Sequence, residues 1–183
     1  MREPAVAYEG DCMTELSFKI RRISSGWFDV SFILNKEKLN ICASNAWGND
    51  APRHFLELLC RLVKRETEVG YVVFDDEPGT FVICICIGEQ SNINIVYSDL
   101  DDDEWKKIPL HGDLTRAEIV RQIPIEEELM AVFDFDFDKF VRCVITEFER
   151  YVPKHKRDKY EGNWMPFPME ELQALKQAFL KKE

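Results

Sequence analysis

A chain of 183 residues, 45% hydrophobic and 12% aromatic, has the material for one packed domain, which excludes a disordered segment or a small disulfide-stapled scaffold. Its 34 acidic against 24 basic residues give a formal charge of −10, which disfavours nucleic acid and anionic membrane surfaces as partners and leaves a basic protein as the partner such a charge attracts. No apolar run approaches the ~18 residues of a membrane helix, and Met1–Cys12 lacks the apolar core of a signal peptide, so a cytoplasmic location is expected.

The first half reads as strands. Residues 14–23 alternate, with Leu16, Phe18 and Ile20 on one face, and Ser24-Ser25-Gly26 signals a turn. Residues 27–34 alternate again, with Phe28, Val30 and Phe32 on one side. Asn35–Lys38 turns the chain into a short strand over 39–43, completing a meander. A loop with Trp47 and Gly48 leads to a helix over 51–65. Asp50 is its expected N-cap, Pro52 sits in the first turn, and Phe55, Leu56, Leu59, Leu62 and Val63 form its apolar stripe.

Strands resume over 71–74 and, after the Glu77-Pro78-Gly79-Thr80 turn, over 81–87. The second of these is almost continuously apolar, as a central strand covered on both faces would be. Residues 92–97 are expected to pair beside it. Residues 99–116 read as a long acidic connection with room for a short strand, and a loop of that length suits a functional or mobile segment. Residues 118–123 read as a strand. So do 129–136, with Leu129, Ala131, Phe133, Phe135 and Phe137 assigned to one side.

Asp138 is placed as the cap of a helix over 139–151 with the stripe Phe140, Val141, Val144, Ile145 and Phe148. Residues 153–166 read as an irregular basic segment, and Pro168 opens a last helix carrying Leu172, Leu175 and Phe179. Strand clusters separated by single helices, without regular βαβ alternation, point to one α+β domain over 1–183. The expected sheet is antiparallel, has about six to eight strands, begins with a β-meander and packs against about three helices.

No motif specifies a reaction. P-loop, G-x-G-x-x-G and G-x-S-x-G patterns are all missing from the sequence. Cys84 and Cys86 share a strand face, but four zinc ligands need a second pair and C-x-C is not the redox spacing, so they read as small core residues. With Cys12, Cys42, Cys60 and Cys143 they read as reduced thiols, not a disulfide framework. Carboxylates cluster at Asp75-Asp76-Glu77, at Asp99–Glu104 and at Asp134, Asp136 and Asp138, without the ligand spacing of a calcium loop. The last set reads as the wet face of a half-buried strand. His54, His111 and His155 belong to no zinc motif, and Cys60 lies six residues from His54, off its helical face. No catalytic residue, metal ligand or cofactor is assigned.

The tryptophans are more suggestive. Trp105 directly follows the acidic run, and aromatics beside acids suit a basic partner, because the ring anchors while carboxylates steer. Asp99, Asp101, Asp102, Asp103, Glu104 and Trp105 are therefore the expected partner-binding residues. Loop tryptophans such as Trp47 and Trp164 also serve as caps over sheet ends.

The segments Ser44–Pro52, Phe74–Gly79 and Trp164–Pro168 resemble small acidic bacterial proteins of uncharacterised function, some of which are similar to immunity proteins of toxin systems. That resemblance implies a cytosolic, non-catalytic inhibitor that binds a toxin domain, and transfers no functional residue. The expectation is a non-catalytic binding protein engaging a basic partner through an acidic surface. The alternatives are a metal-dependent hydrolase using clustered carboxylates and an accessory subunit of a larger assembly.

Overall fold

The computed structural model describes residues 14–46, 48–77, 79–99 and 109–182. Among these residues, eight strands form two antiparallel sheets, accompanied by five helices. The first sheet is the meander β1 (Leu16–Ser24), β2 (Trp27–Leu34) and β3 (Glu37–Ser44). Its two hairpins close through two-residue loops, Ser25-Gly26 and Asn35-Lys36, all four at positive φ. Such loops carry the right-handed twist that adjacent strands need.

Helix α1 (Ala51–Val63) follows, then β4 (Val69–Asp75), β5 (Thr80–Ile87) and β6 (Ser91–Ser98). The two-residue β7 (His111–Gly112), α2 (Arg116–Gln122) and β8 (Glu127–Phe133) come next, and α3 (Phe137–Glu149), α4 (Lys154–Glu161) and α5 (Met169–Lys182) end the chain. The second sheet has the order β7-β4-β5-β6-β8, which makes β5 the central strand that its composition implies. No described helix is long and apolar enough to cross a membrane.

One core joins the two sheets. Phe18, Phe28 and Phe32 of the meander share it with Phe55 of α1, Phe74 of β4, Phe140 and Phe148 of α3, and Leu175 of α5. A smaller core lies on the other face of the second sheet, where Tyr71, Val73, Val82, Cys84 and Val96 pack with Ile119 of α2 and Ile123. Cys84 is thus the small core residue its run implied, while Cys86 is half-buried. All five described cysteines are free thiols.

Five readings are corrected. The expected single sheet is two, and there are five helices, not three. Residues 118–123 are helical because Thr115 and Glu118 form a reciprocal capping box that satisfies the first turn's free N–H groups. The basic segment 153–166 contains α4, started by Pro153, whose carbonyl accepts from Lys156 and Arg157 N–H at 2.9 and 3.0 Å. Its single buried residue, Tyr160, gives too little apolar period to read.

The fourth correction reverses β8. Met130 and Val132 point inward, while Phe133 is 43% exposed and Ala131 is half-buried. Asp134 lies at positive φ, so the chain turns there and the alternation does not continue to Phe137. Asp136, not Asp138, caps α3, accepting from Lys139 N–H at 2.9 Å. Asp50 holds the N-cap position of α1 as expected, but its carboxylate makes no cap bond. It accepts instead from Trp164 Nε1 at 3.1 Å and Arg53 Nε at 2.9 Å.

Candidate functional site: an acidic sheet end

The antiparallel pairing of the second sheet brings three chain reversals to one end. Register pairs Asp75 with Thr80, Thr80 with Ser98 and Tyr97 with Glu127. The β4–β5 turn, the exit of β6 and the entry of β8 therefore lie side by side. Each carries carboxylates: Asp75, Asp76 and Glu77 on the first, Asp99 on the second, Glu126 and Glu127 on the third.

Tyr97 is the hub of this end. Its ring packs on Phe81 with centroids 5.4 Å apart and covers Gly79, where an added Cβ would lie 2.0 Å from the hydroxyl. A side chain at position 79 would have to displace the Tyr97 ring. Glu126 N–H donates to the Tyr97 carbonyl at 3.0 Å, fixing the entry of β8. Burial holds the Tyr97 phenol above its ordinary range, and the negative charges of Asp99, Asp76 and Glu126 push it further in the same direction. One ring thus feels carboxylates from three separate segments.

The meander contributes at the same end. Cys42 Sγ donates to Asp76 Oδ1, and Ser44 Oγ donates to Glu77 Oε1 at 3.0 Å. Burial, reinforced by Asp76, pushes the Cys42 thiol up to about 12, so it is a neutral donor and not a nucleophile at neutral pH. Asp29 opposes Cys42 across the strands and raises both Cys42 and Asp76 by like charge. Arg22 offsets part of this charge through a 2.7 Å bond to Asp29.

Asp75 is the buried member. Only 1% of it is exposed, its Oδ1 accepts from Glu77 N–H at 3.4 Å, and its Oδ2 has no hydrogen-bond partner among the described residues. Burial raises its carboxyl to about 6, with Glu77 and Asp76 adding to the rise.

Of the expected partner-binding residues, Asp99 is exposed at this sheet end. Asp101, Asp102, Asp103, Glu104 and Trp105 lie outside the described residues, as does Trp47. Trp164 is buried against Phe28 at 5.7 Å, in the capping role that loop tryptophans often take. Asp134, Asp136 and Asp138 separate into a turn, a helix cap and an ion pair with Lys182, so they form no joint site.

Sequence spacing did not connect Asp29, Asp76 and Glu126 with Asp99, because strand pairing alone brings them together. It also set the histidines apart, whereas the fold stacks His54 against His111 with centroids 4.3 Å apart. A signal for part of the first group existed: Asp76, Asp99 and Glu126 each lie directly beside the end of a strand. Comparison with family models, with curated proteins and with solved structures found no match to this chain.

Proposed function

We propose that this protein is a non-catalytic binding protein that engages a basic protein partner through the acidic end of its second sheet and the connection leaving it. The observation that carries this reading is the register of the second sheet, which brings the carboxylate-bearing β4–β5 turn, the exit of β6 and the entry of β8 side by side where residues 99–116 depart. A sheet end that collects carboxylates from three separate segments suits a cationic partner. The overall charge of −10 steers in the same direction. Tyr97 and Trp105 would supply the apolar anchors, with carboxylates setting encounter rate and orientation. An immunity-type inhibitor, as the resemblance implies, is one form of such a protein.

The test is capture from native lysate with the full chain as bait, followed by association kinetics with the captured protein. Charge reversal at Asp101, Asp102 and Asp103 should slow association roughly tenfold at low salt, with the difference shrinking as salt rises. Reversal of Asp99 and Glu126 should act in the same direction. A captured partner whose association rate is indifferent to both sets and to salt would remove the assignment.

A further inference from the structure

We propose that His54, Glu57 and His111 form a binding site for a divalent transition metal, zinc above all, in the cleft where α1, α5 and β7 meet. One potential ligand atom from each residue lies within 4.8 Å of the other two. His54 and Glu57 are three residues apart on α1 and so project from one face of the helix. His111 reaches the same place by a different route, because β7 pairs with β4 through Val72 and lies at the edge of the second sheet beside α1.

The donor set argues for the metal class. Two imidazoles and one carboxylate suit zinc and its neighbours in the first transition row, whereas calcium and magnesium require oxygen ligands. Zinc ligands stand about 2.0–2.2 Å from the ion, so tetrahedral donors lie roughly 3.4 Å apart. Closing the present spacing takes about an ångström of adjustment, and His111 is exposed and able to supply it by side-chain rotation.

Two further observations point to a ligand here. His54 Nδ1 is buried with no hydrogen-bond partner among the described residues, which is unusual for a buried ring nitrogen. Glu171 of α5 lines the same cavity of about 270 Å³ together with Glu57 and His111. Its Oε1 is held by Arg53, which also bonds Asp50, and its Oε2 is buried without a partner among the described residues. A second anchored carboxylate therefore lies beside the three-residue set, where it can orient a metal-bound water.

The ion would tie His111 of β7, within the 99–116 connection, to α1. Binding should therefore raise thermal stability as well as saturate.

The full chain, stripped with a chelator, is titrated with zinc by calorimetry and with cobalt by visible spectroscopy. One equivalent should bind at micromolar affinity or tighter and raise the melting temperature, and four- or five-coordinate cobalt should give d–d bands without thiolate charge transfer. His111→Ala, on an exposed edge where folding is safe, should weaken binding at least tenfold, and Glu57→Gln should weaken it less. His155→Ala on α4 should leave it unchanged. A flat titration would overturn the proposal. So would equal affinity in His111→Ala, or cobalt–thiolate absorption placing the metal on the cysteines.

Discussion

The inner face of the second sheet and its outer face carry different loads. On the inner face Phe74, Ile83, Ile85 and Ile95 join a core that runs through α1 to the meander, α3 and α5. Phe55 alone meets the rings of Phe18, Phe32, Phe74 and Phe140, at centroid distances of 5.4, 6.3, 6.2 and 6.5 Å. On the outer face a seven-residue helix covers Tyr71, Val73, Val82, Cys84 and Val96, with Leu110, Leu114 and Ile125 packed at the margin. Beyond it a groove of about 550 Å³ opens over Cys84, Cys86, Asn92, Asn94 and Phe133. The inner face provides rigidity through mutual packing of large rings, and the outer face is closed locally by caps and short contacts.

The largest difference should appear on truncation. Phe55→Ala removes a fully buried ring from the joint core and should cost about 3–5 kcal/mol in urea denaturation. Ile119→Ala, the main apolar anchor of α2, should cost about 2 kcal/mol and should deprotect α2 amides selectively in hydrogen exchange. Equal costs at the two positions would show that the outer layer is as integral to the core as the inner one.

A smaller effect should follow pH at Asp75, which continues the Tyr71–Val73 row of the outer face. Its folded pKa of about 6 lies above the ordinary 3.8, so the folded state holds the proton more tightly than the unfolded chain does. Stability contributed by this group is complete below pH 4 and is lost as pH rises to about 6. Asp75→Asn should flatten that segment of the stability–pH curve. A curve unchanged by the substitution would mean that Asp75 ionises as freely when folded as when unfolded.

The smallest effect concerns the cap. Thr115→Ala removes the acceptor for Glu118 N–H at 3.2 Å and should cost about 1 kcal/mol, again confined to α2. Loss of α2 without loss of the β4–β5–β6 ladder, read by hydrogen exchange, would sharpen the division between the two faces.

The meander was readable residue by residue, since burying one face forces a period of two and the turn residues Ser25-Gly26 and Asn35-Lys36 accept positive φ. Helices α1 and α3 were readable because each has a broad apolar stripe. α2 carried its own signal in Thr115-x-x-Glu118, followed by Ile119 and Ile123 four residues apart, but a segment as short as 118–123 is ambiguous between helix and strand. For β8, the phenylalanines at 133, 135 and 137 suggested one continuous face, whereas the chain turns at Asp134 and puts Met130 and Val132 inside. The acidic sheet end was visible only as separate clusters.

Composition and pattern alone determined an acidic α+β chain with an initial meander, a central β5 and two strongly amphipathic helices, because burial of apolar periods is a local demand on the sequence. The division into two sheets, the stacking of His54 on His111 and the gathering of Asp76, Asp99 and Glu126 around Tyr97 were decided by the tertiary structure. The last two juxtapose residues 57 and up to 50 positions apart, and the first is a matter of which strand edges meet. Pairing of distant strands sets all of these, and strand pairing is a property of the assembled sheet, not of any one segment.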